Sequence, residues 1–583
     1  MKFRAFTVIL FLALCLIQHN SKAQSPQVGM YLNNETVTYE QAMDFYKKMA
    51  NDHKEAKLIN YGLTDIGKPL SLFVLSKDKD FDPASLKRKN KRILLINNAI
   101  HPGEPCGVDA CIKLVEDLLE KKKVPFNLNN LVICIIPMYN IGGALNRNCC
   151  SRVNQNGPKE YGFRGNAQNL DLNRDFIKAD SKNAKAFFQI FQTWDPDVFV
   201  DTHTSNGADY QYVMTLITTQ LDKLNTTLAS YVRYKLNPAL FNNMKEKGFE
   251  MIPYVNLVDK TPDKGIKSFL ETPRYSTGYS ALFNTIGFTT EAHMFKPFKD
   301  RVLGTYHFIV TLAAYINSNH EELGKIRENA KKESIVQKYF PIKWESDTTK
   351  FSSIYFKGFE SLYKTSKITA KDRLYYDRNK PYTKQIKYFN RCRTVLSVKK
   401  PYAYIIPQGW EKAIERMLLN GIVMEKLTND TMMRAEMYYI DAYETRKYPY
   451  EGHYLHYKVA TRTEIQDIRF YKGDYLIKLN QDKNRYIVET LEPAASDSYF
   501  AWNLFDPILQ QKEWFSSYVF EEKAEEILVS NPLLRKKFES KLATDLQFSN
   551  DSREQLRYIY KESDYYEKSH NRYPVARIMN MAK

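Results

Sequence analysis

Arg92-Ile93-Leu94-Leu95-Ile96-Asn97-Asn98-Ala99-Ile100-His101-Pro102-Gly103-Glu104 is the stretch on which the fold turns. Residues 92–98 form a short apolar run of buried-strand type. His101-Pro102-Gly103-Glu104 interrupts it. A helix follows, with Val108, Cys111, Ile112, Val115, Leu118 and Leu119 at helical spacing. His101 and Glu104 therefore lie just past the C-terminal end of a strand. In open α/β sheets that edge is where ligands bind.

The pattern extends in both directions. Lys57 to Lys77 reads as two strands joined at Ile66-Gly67-Lys68, and Leu131 to Met138 as another buried strand. A helix through Phe187 to Phe191 leads to the strand Asp197-Val198-Phe199-Val200-Asp201. Gly287 to Glu291 reads as a further strand, followed by a helix from about Asp300 to Ile316. Residues 218–265 read as a helical insertion. Strands alternating with helices predict an α/β fold, a mostly parallel mixed sheet flanked by helices.

After about residue 335 the texture changes. Residues 336–583 hold 26 of the 41 tyrosines and four of the five tryptophans. Alternating runs at Tyr402 to Ile406, Arg434 to Ile440, His453 to Val459, Tyr471 to Leu479 and Tyr486 to Leu491 read as antiparallel strands. Charged helical stretches flank them, notably Glu521 to Asp545. The expected division is 1–23 signal peptide, 24–335 an α/β domain carrying the strand-end motifs and 336–583 a β-rich accessory domain with helices.

The N-terminus reads as an export signal. Met-Lys-Phe-Arg is followed by an apolar stretch from Ala5 to Ile17 and then Ser21-Lys22-Ala23, which predicts cleavage after Ala23. A lipoprotein anchor at Cys15 competes, but Leu14 is bulky where a small residue is wanted. The mature protein is expected to be periplasmic or secreted, with no integral membrane span once the signal is removed. Six cysteines remain, Cys106, Cys111, Cys134, Cys149, Cys150 and Cys392, and their connectivity cannot be read from sequence. The formal charge of +18 fits a Lys-rich surface. Arginine-rich runs interleaved with aromatics are missing, so nucleic acid is not an expected partner. A Walker-type phosphate loop and a G-x-S-x-G serine elbow are also missing.

The chemistry gathers at strand ends. His203, in Asp201-Thr202-His203-Thr204-Ser205, lies just past a strand, as His101 and Glu104 do. Two imidazoles and one carboxylate, with a fourth position left to water, make a catalytic zinc site. Two further segments accompany them: Asn169-Leu170-Asp171-Leu172-Asn173-Arg174-Asp175 and Phe288-Thr289-Thr290-Glu291-Ala292-His293. Singly, each residue has a bland reading. Glu104 could favour a helix dipole, Arg174 could be a surface ion-pair partner, and Glu291 could be a structural acid. His293, His307 and the His453-x-x-His456 pair read as packing.

Taken together, these segments resemble the zinc carboxypeptidases of the carboxypeptidase A superfamily, in the version found in exported bacterial proteins. The resemblance covers roughly residues 35–320. The remainder resembles accessory regions of some bacterial members and carries no transferable function. The resemblance implies one Zn²⁺ per chain, with His101, Glu104 and His203 as metal ligands. It implies Glu291 as general base and Asp171 as the carboxylate that orients the first histidine. It implies Asn173 and Arg174 as the pair holding the substrate's terminal carboxylate. Arg152 falls where the family has the arginine that polarises the scissile carbonyl, with Arg147 and Arg164 as competitors. Tyr275, with Tyr279 second, falls where a tyrosine closes over substrate. Gly103 stands where the family has an arginine, so side-chain preference does not carry over.

The implied function is exopeptidase hydrolysis of C-terminal peptide bonds of peptides or proteins. A zinc-dependent deacylase of amino acids, or a carboxypeptidase trimming cell-wall peptides, would use the same scaffold. A non-catalytic binding protein is the reading from another class. Its signature would be a lost ligand or base, and every position is filled.

Overall fold

The computed structural model describes residues 27–580 apart from Lys122 and Asn206. The proposed signal and its cleavage site lie outside the described residues. The central sheet has eight strands: β1 (Ala56–Leu63), β2 (Pro69–Leu75), β3 (Arg92–Asn97), β4 (Leu131–Ile136), β5 (Val198–Ser205), β6 (Met214–Thr218), β7 (Met251–Pro253) and β8 (Ile286–His293). Their order is β1-β2-β4-β3-β5-β8-β6-β7. The central four, β4-β3-β5-β8, run parallel. Antiparallel pairs lie outside them, at β1–β2, β2–β4 and β6–β8. The α/β expectation, a mostly parallel mixed sheet between helices, is met.

Alternation along each strand feeds two cores. Leu94 and Ile96 of β3 face one side, with the helices Cys106–Glu116 and Phe298–Ser318. Ile93 and Leu95 face the other, with the helix Lys182–Trp194. The chain leaves β3 for β4 on one side and returns to β5 on the other. The C-terminal ends of β3 and β5 therefore flank a topological switch point, where a cleft opens.

The C-terminal half is built on three further sheets. A six-stranded sheet carries Ala403–Ile406, Thr431–Thr445 and His456–Phe470 with three short strands. A long hairpin, Ser352–Thr365 with Asp372–Phe389, pairs in parallel with Ile266–Lys267 of the N-terminal half. Tyr339–Ser346 pairs with Cys392–Lys399. The second core of the α/β sheet continues without a break into this half: Leu70, Phe187, Tyr279 and Phe283 belong to one cluster with Tyr404, Tyr486, Trp502 and Tyr573.

Three sequence expectations are corrected. Tyr486 to Leu491, read as a strand, lies in the helix Asn484–Leu491. Every residue in it but Arg485 is buried, so it shows no polar face to betray a helical period. The strand expected from His453 begins at His456, because His453 closes a turn with Tyr450. The stretch 218–265 is α-helical only as far as Glu246; Met251–Pro253 then adds the edge strand β7, and of helix only a short 3-10 turn follows at Pro262–Lys264.

Candidate active site

β3, β5 and β8 deliver the site. His101 and Glu104 follow β3, His203 lies on β5, and Glu291 on β8 stands in register beside His203. The potential ligand atoms of His101, Glu104 and His203 all lie within 4.8 Å of one another, and all three residues are buried. His101 Nδ1 is 3.4 Å from Glu104 Oε1 and has no hydrogen-bond partner. His203 Nδ1 is 3.1 Å from Glu104 Oε2. A buried, unpartnered ring nitrogen facing a carboxylate and a second imidazole fits a divalent cation, and two nitrogens with one oxygen suit zinc.

Each ring's other nitrogen meets a carboxylate. His101 Nε2 pairs with Asp171 Oδ1 at 2.8 Å, and His203 Nε2 with Asp201 Oδ2 at 2.9 Å. Such partners fix the tautomer and leave Nδ1 free to bind metal. Asp201 is a residue that sequence reading missed. Its signal was available, because residues two apart on a strand share a face. Asn97 Nδ2 in turn donates to Asp201 Oδ1 at 3.1 Å.

The charges are strongly coupled. Burial pushes the Glu104 carboxyl up, but Arg152 and the two imidazoles outweigh it and hold it well below the usual range. Asp171 is likewise held low, by His101, Arg164 and Arg174 against its burial. Glu291 goes the other way. Burial pushes it up to about 8, with Glu104 adding to the rise and His203 and Arg152 opposing it.

These residues line a cavity of about 290 Å³ that also holds Asn173, Arg174, Arg152, Arg164 and Tyr275. Arg152 Nη1 donates to Glu104 Oε1 at 2.7 Å and Nε to Gln155 Oε1 at 2.7 Å. Gly103 makes room for it, since a Cβ there would stand 2.6 Å from Arg152 Cδ. Arg164 is more exposed and is held by Asp171 Oδ2 at 3.0 Å. Arg147 instead donates to the carbonyl oxygens of Thr36, Val37 and Glu160, outside the cavity lining. Arg174 stacks on the Tyr275 ring at 4.5 Å and donates from Nη1 to Asn173 O at 2.8 Å. Tyr279 is fully buried and donates to Asn420 Oδ1 at 2.6 Å, so of the two tyrosine candidates Tyr275 is the one on the cavity wall.

The remaining candidates are structural. His293 stacks on Tyr210 at 4.1 Å, and His307 packs against Phe249. His453 bonds Asp180, and His456 bonds Thr445 and Asp506. Cys149 and Cys150 form a disulfide with each other, two residues before Arg152. Cys106, Cys111, Cys134 and Cys392 are free.

Two histidines and a glutamate at the switch point of a mostly parallel sheet, with a second glutamate alongside, define a metalloenzyme of α/β fold. Residues 42–241 match the family model described as zinc carboxypeptidase. That match spans about a third of the chain, and over those residues the chain carries a zinc carboxypeptidase domain. The chain is 22% identical over 454 residues to carboxypeptidase 2 of Trichophyton tonsurans, covering 75% of this chain and 77% of that one. It is also 22% identical over 427 residues to carboxypeptidase 2 of Trichophyton rubrum, covering 70% and 73%. Among solved structures, a metallo-carboxypeptidase from Burkholderia cenocepacia aligns with a TM-score of 0.37 at 15% identity, over 48% of this chain and 70% of that one. No helix among the described residues is long and apolar enough to cross a membrane.

Proposed function

We propose that the protein is a zinc-dependent exopeptidase that hydrolyses the C-terminal peptide bond of peptides or proteins. One observation carries the reading: a single cavity holds three metal donors, a glutamate in register beside one of them and an arginine with donors to spare. His101, Glu104 and His203 would hold one Zn²⁺, which when bound supplies Lewis acidity and a more acidic water.

Glu291 takes the proton from the attacking water and passes it to the leaving amine. A carboxylate beside the metal donors is placed for both transfers. Arg152 has N–H groups left after its bonds to Glu104 and Gln155, and it donates to the scissile carbonyl as negative charge builds there. Asn173 and Arg174 hold the substrate's terminal carboxylate, and Tyr275 on the cavity wall covers the bound residue. An internal peptide bond carries no such charge, and leaving the guanidinium unpaired would cost about 1–3 kcal/mol. Apart from Arg164, which is paired with Asp171, the rest of the wall is uncharged and includes Ile217, Tyr254, Phe269, Thr277 and Thr289. Uncharged C-terminal side chains are the expected substrates. The division at about residue 335 and export by residues 1–23 remain part of this reading, the latter checked by a mature N-terminus at Gln24.

Digestion of a peptide library read by mass spectrometry tests the proposal. The expected result is single-residue loss from free C-termini, abolished by a chelator, restored by zinc and at least about tenfold slower on C-terminal amides. Internal cleavage, or faster release of acyl groups from N-acyl amino acids, would replace the reading. No turnover in a fully zinc-loaded sample would favour a binding protein.

A further inference from the structure

We propose that the loop 446–456 of the C-terminal half completes the carboxylate-recognition site, with Tyr450 and Glu451 as positioning residues for Arg174 and Asn173. The inference rests on the reading of Arg174 given above.

Arg174 Nε donates to the Tyr450 hydroxyl at 3.1 Å. With Nη1 already on Asn173 O and the guanidinium face on Tyr275, one edge and one face of the group are fixed. Of five N–H donors, those left over lie on the Nη side, which is the geometry for a two-point grip on a carboxylate. Tyr450 therefore sets the direction in which Arg174 presents its fork, although Tyr450 does not itself line the cavity.

Glu451 acts one step further back. Its Oε2 accepts the Asp171 N–H at 2.7 Å. Asp171 Oδ1 then takes both His101 Nε2 at 2.8 Å and the Asn173 N–H at 2.9 Å. The loop thus holds the one residue that ties the first histidine to the carboxylate-binding asparagine.

The loop's own backbone points to a purpose. Glu451 has φ 51° and Gly452 φ 81°, and Tyr450 and His453 exchange backbone hydrogen bonds across them at 2.7 and 3.1 Å. A tight turn with both central residues left-handed favours Asn-Gly, and a long side chain such as Glu is strained there. An observed outlier of this kind supports a functional role, and the reach of the Glu451 carboxylate to Asp171 supplies one. The loop is anchored independently. His453 Nε2 meets Asp180 Oδ2 at 2.7 Å. Arg274, next to Tyr275 and held by Asp497 at 2.7 Å, lies 5.5 Å over the Tyr450 ring.

The test uses the full-length zinc-loaded enzyme, with matched peptides ending in a free acid or an amide. Tyr450→Phe removes only the hydroxyl. Expected is a rise in KM of about tenfold on the acid with kcat within about twofold, and a matching loss of acid-over-amide preference. Glu451→Ala should behave alike, and Glu451→Gln, which can still accept from Asp171, should restore the wild-type KM. Simple packing between the halves would instead lower the melting temperature and affect acid and amide equally, and that result overturns the inference. So does an unchanged KM in Tyr450→Phe. Arg174→Ala separates the two failures. If it abolishes the acid preference while Tyr450→Phe does not, only the positioning role falls. If Arg174→Ala keeps the preference, the carboxylate reading falls and this one with it.

Discussion

In the proposed mechanism Glu291 and the three metal-donor candidates share one cavity but have different work, and substitution separates them. Glu291 is outside the three-residue donor cluster, so Glu291→Gln should leave zinc content at wild-type level while kcat falls by about 10²- to 10⁴-fold. Metal analysis alongside steady-state rates checks this, and a variant with substantial turnover would remove Glu291 as the proton carrier. Asp201 makes the complementary case. It touches no substrate, yet it fixes the His203 ring at 2.9 Å. Asp201→Asn should weaken zinc binding or activity by about 10- to 100-fold, measured by competition with a chelator of known affinity. At this scale the sequence pointed, where motif and strand end coincided, to residues that the fold gathers in one cavity: His101, Glu104, His203 and Glu291. Asp201 was printed beside His203, and only its role was overlooked. Tyr450 was out of reach, because its hydrogen bond to Arg174 spans 276 residues and no local pattern announces it.

The helix Cys106–Glu116 begins two residues after Glu104 and is buried along nearly its whole length. Its first turn holds Asp109, which accepts from Thr36 Oγ1 through Oδ2 and leaves Oδ1 unpartnered. Burial pushes its carboxyl up to about 7, with Thr36 and Arg147 opposing. The native state then holds a proton that the unfolded chain releases near pH 4. Stability falls as pH rises from about 4 to 7 and levels off above. Asp109→Asn removes that slope. At saturating zinc, its melting temperature relative to wild type should be more favourable at pH 8 than at pH 5, and a difference independent of pH would show that Asp109 titrates normally. This helix and β3 were legible although both are buried on nearly all sides: the helix by its length and the spacing of Val108, Cys111, Ile112 and Val115, β3 as a short unbroken apolar run. Asn484–Leu491 was misread because its Ile, Val and Thr suit a strand and burial on nearly all sides hides the helical period. The hairpin of Ser352–Thr365 and Asp372–Phe389 went unread for the opposite reason. Burial alternates only from Ser352 to Gly358 in the first strand and then lapses, and most of the second strand is exposed.

The halves of the molecule share a core, and this decides what truncation does. Phe283 stacks on Tyr486 at 5.3 Å, Tyr279 bonds Asn420, and Arg416 Nη2 reaches Asp180 Oδ1 at 3.1 Å. Lys178 is wholly buried between Asp175 and Asp180, each at 2.9 Å, with Trp502 beside it. A chain ending near residue 336 would strip Phe283 and Tyr279 of Tyr486 and Asn420, and the charged Lys178 of Trp502. Exposed apolar area of this kind drives association, and a buried charge opened to a half-formed core loses its packing without gaining a partner. Composition marked a boundary near residue 335, but composition reports surface and strand content and says nothing of whether a core is continuous across it. A fragment of residues 27–336 should therefore be insoluble, or soluble without a cooperative melting transition, and should not cleave peptides even with zinc present. Calorimetry and peptide assays on the purified fragment check this. A fragment that melts cooperatively and keeps its free-acid preference would show that the C-terminal half is dispensable to both the core and the site.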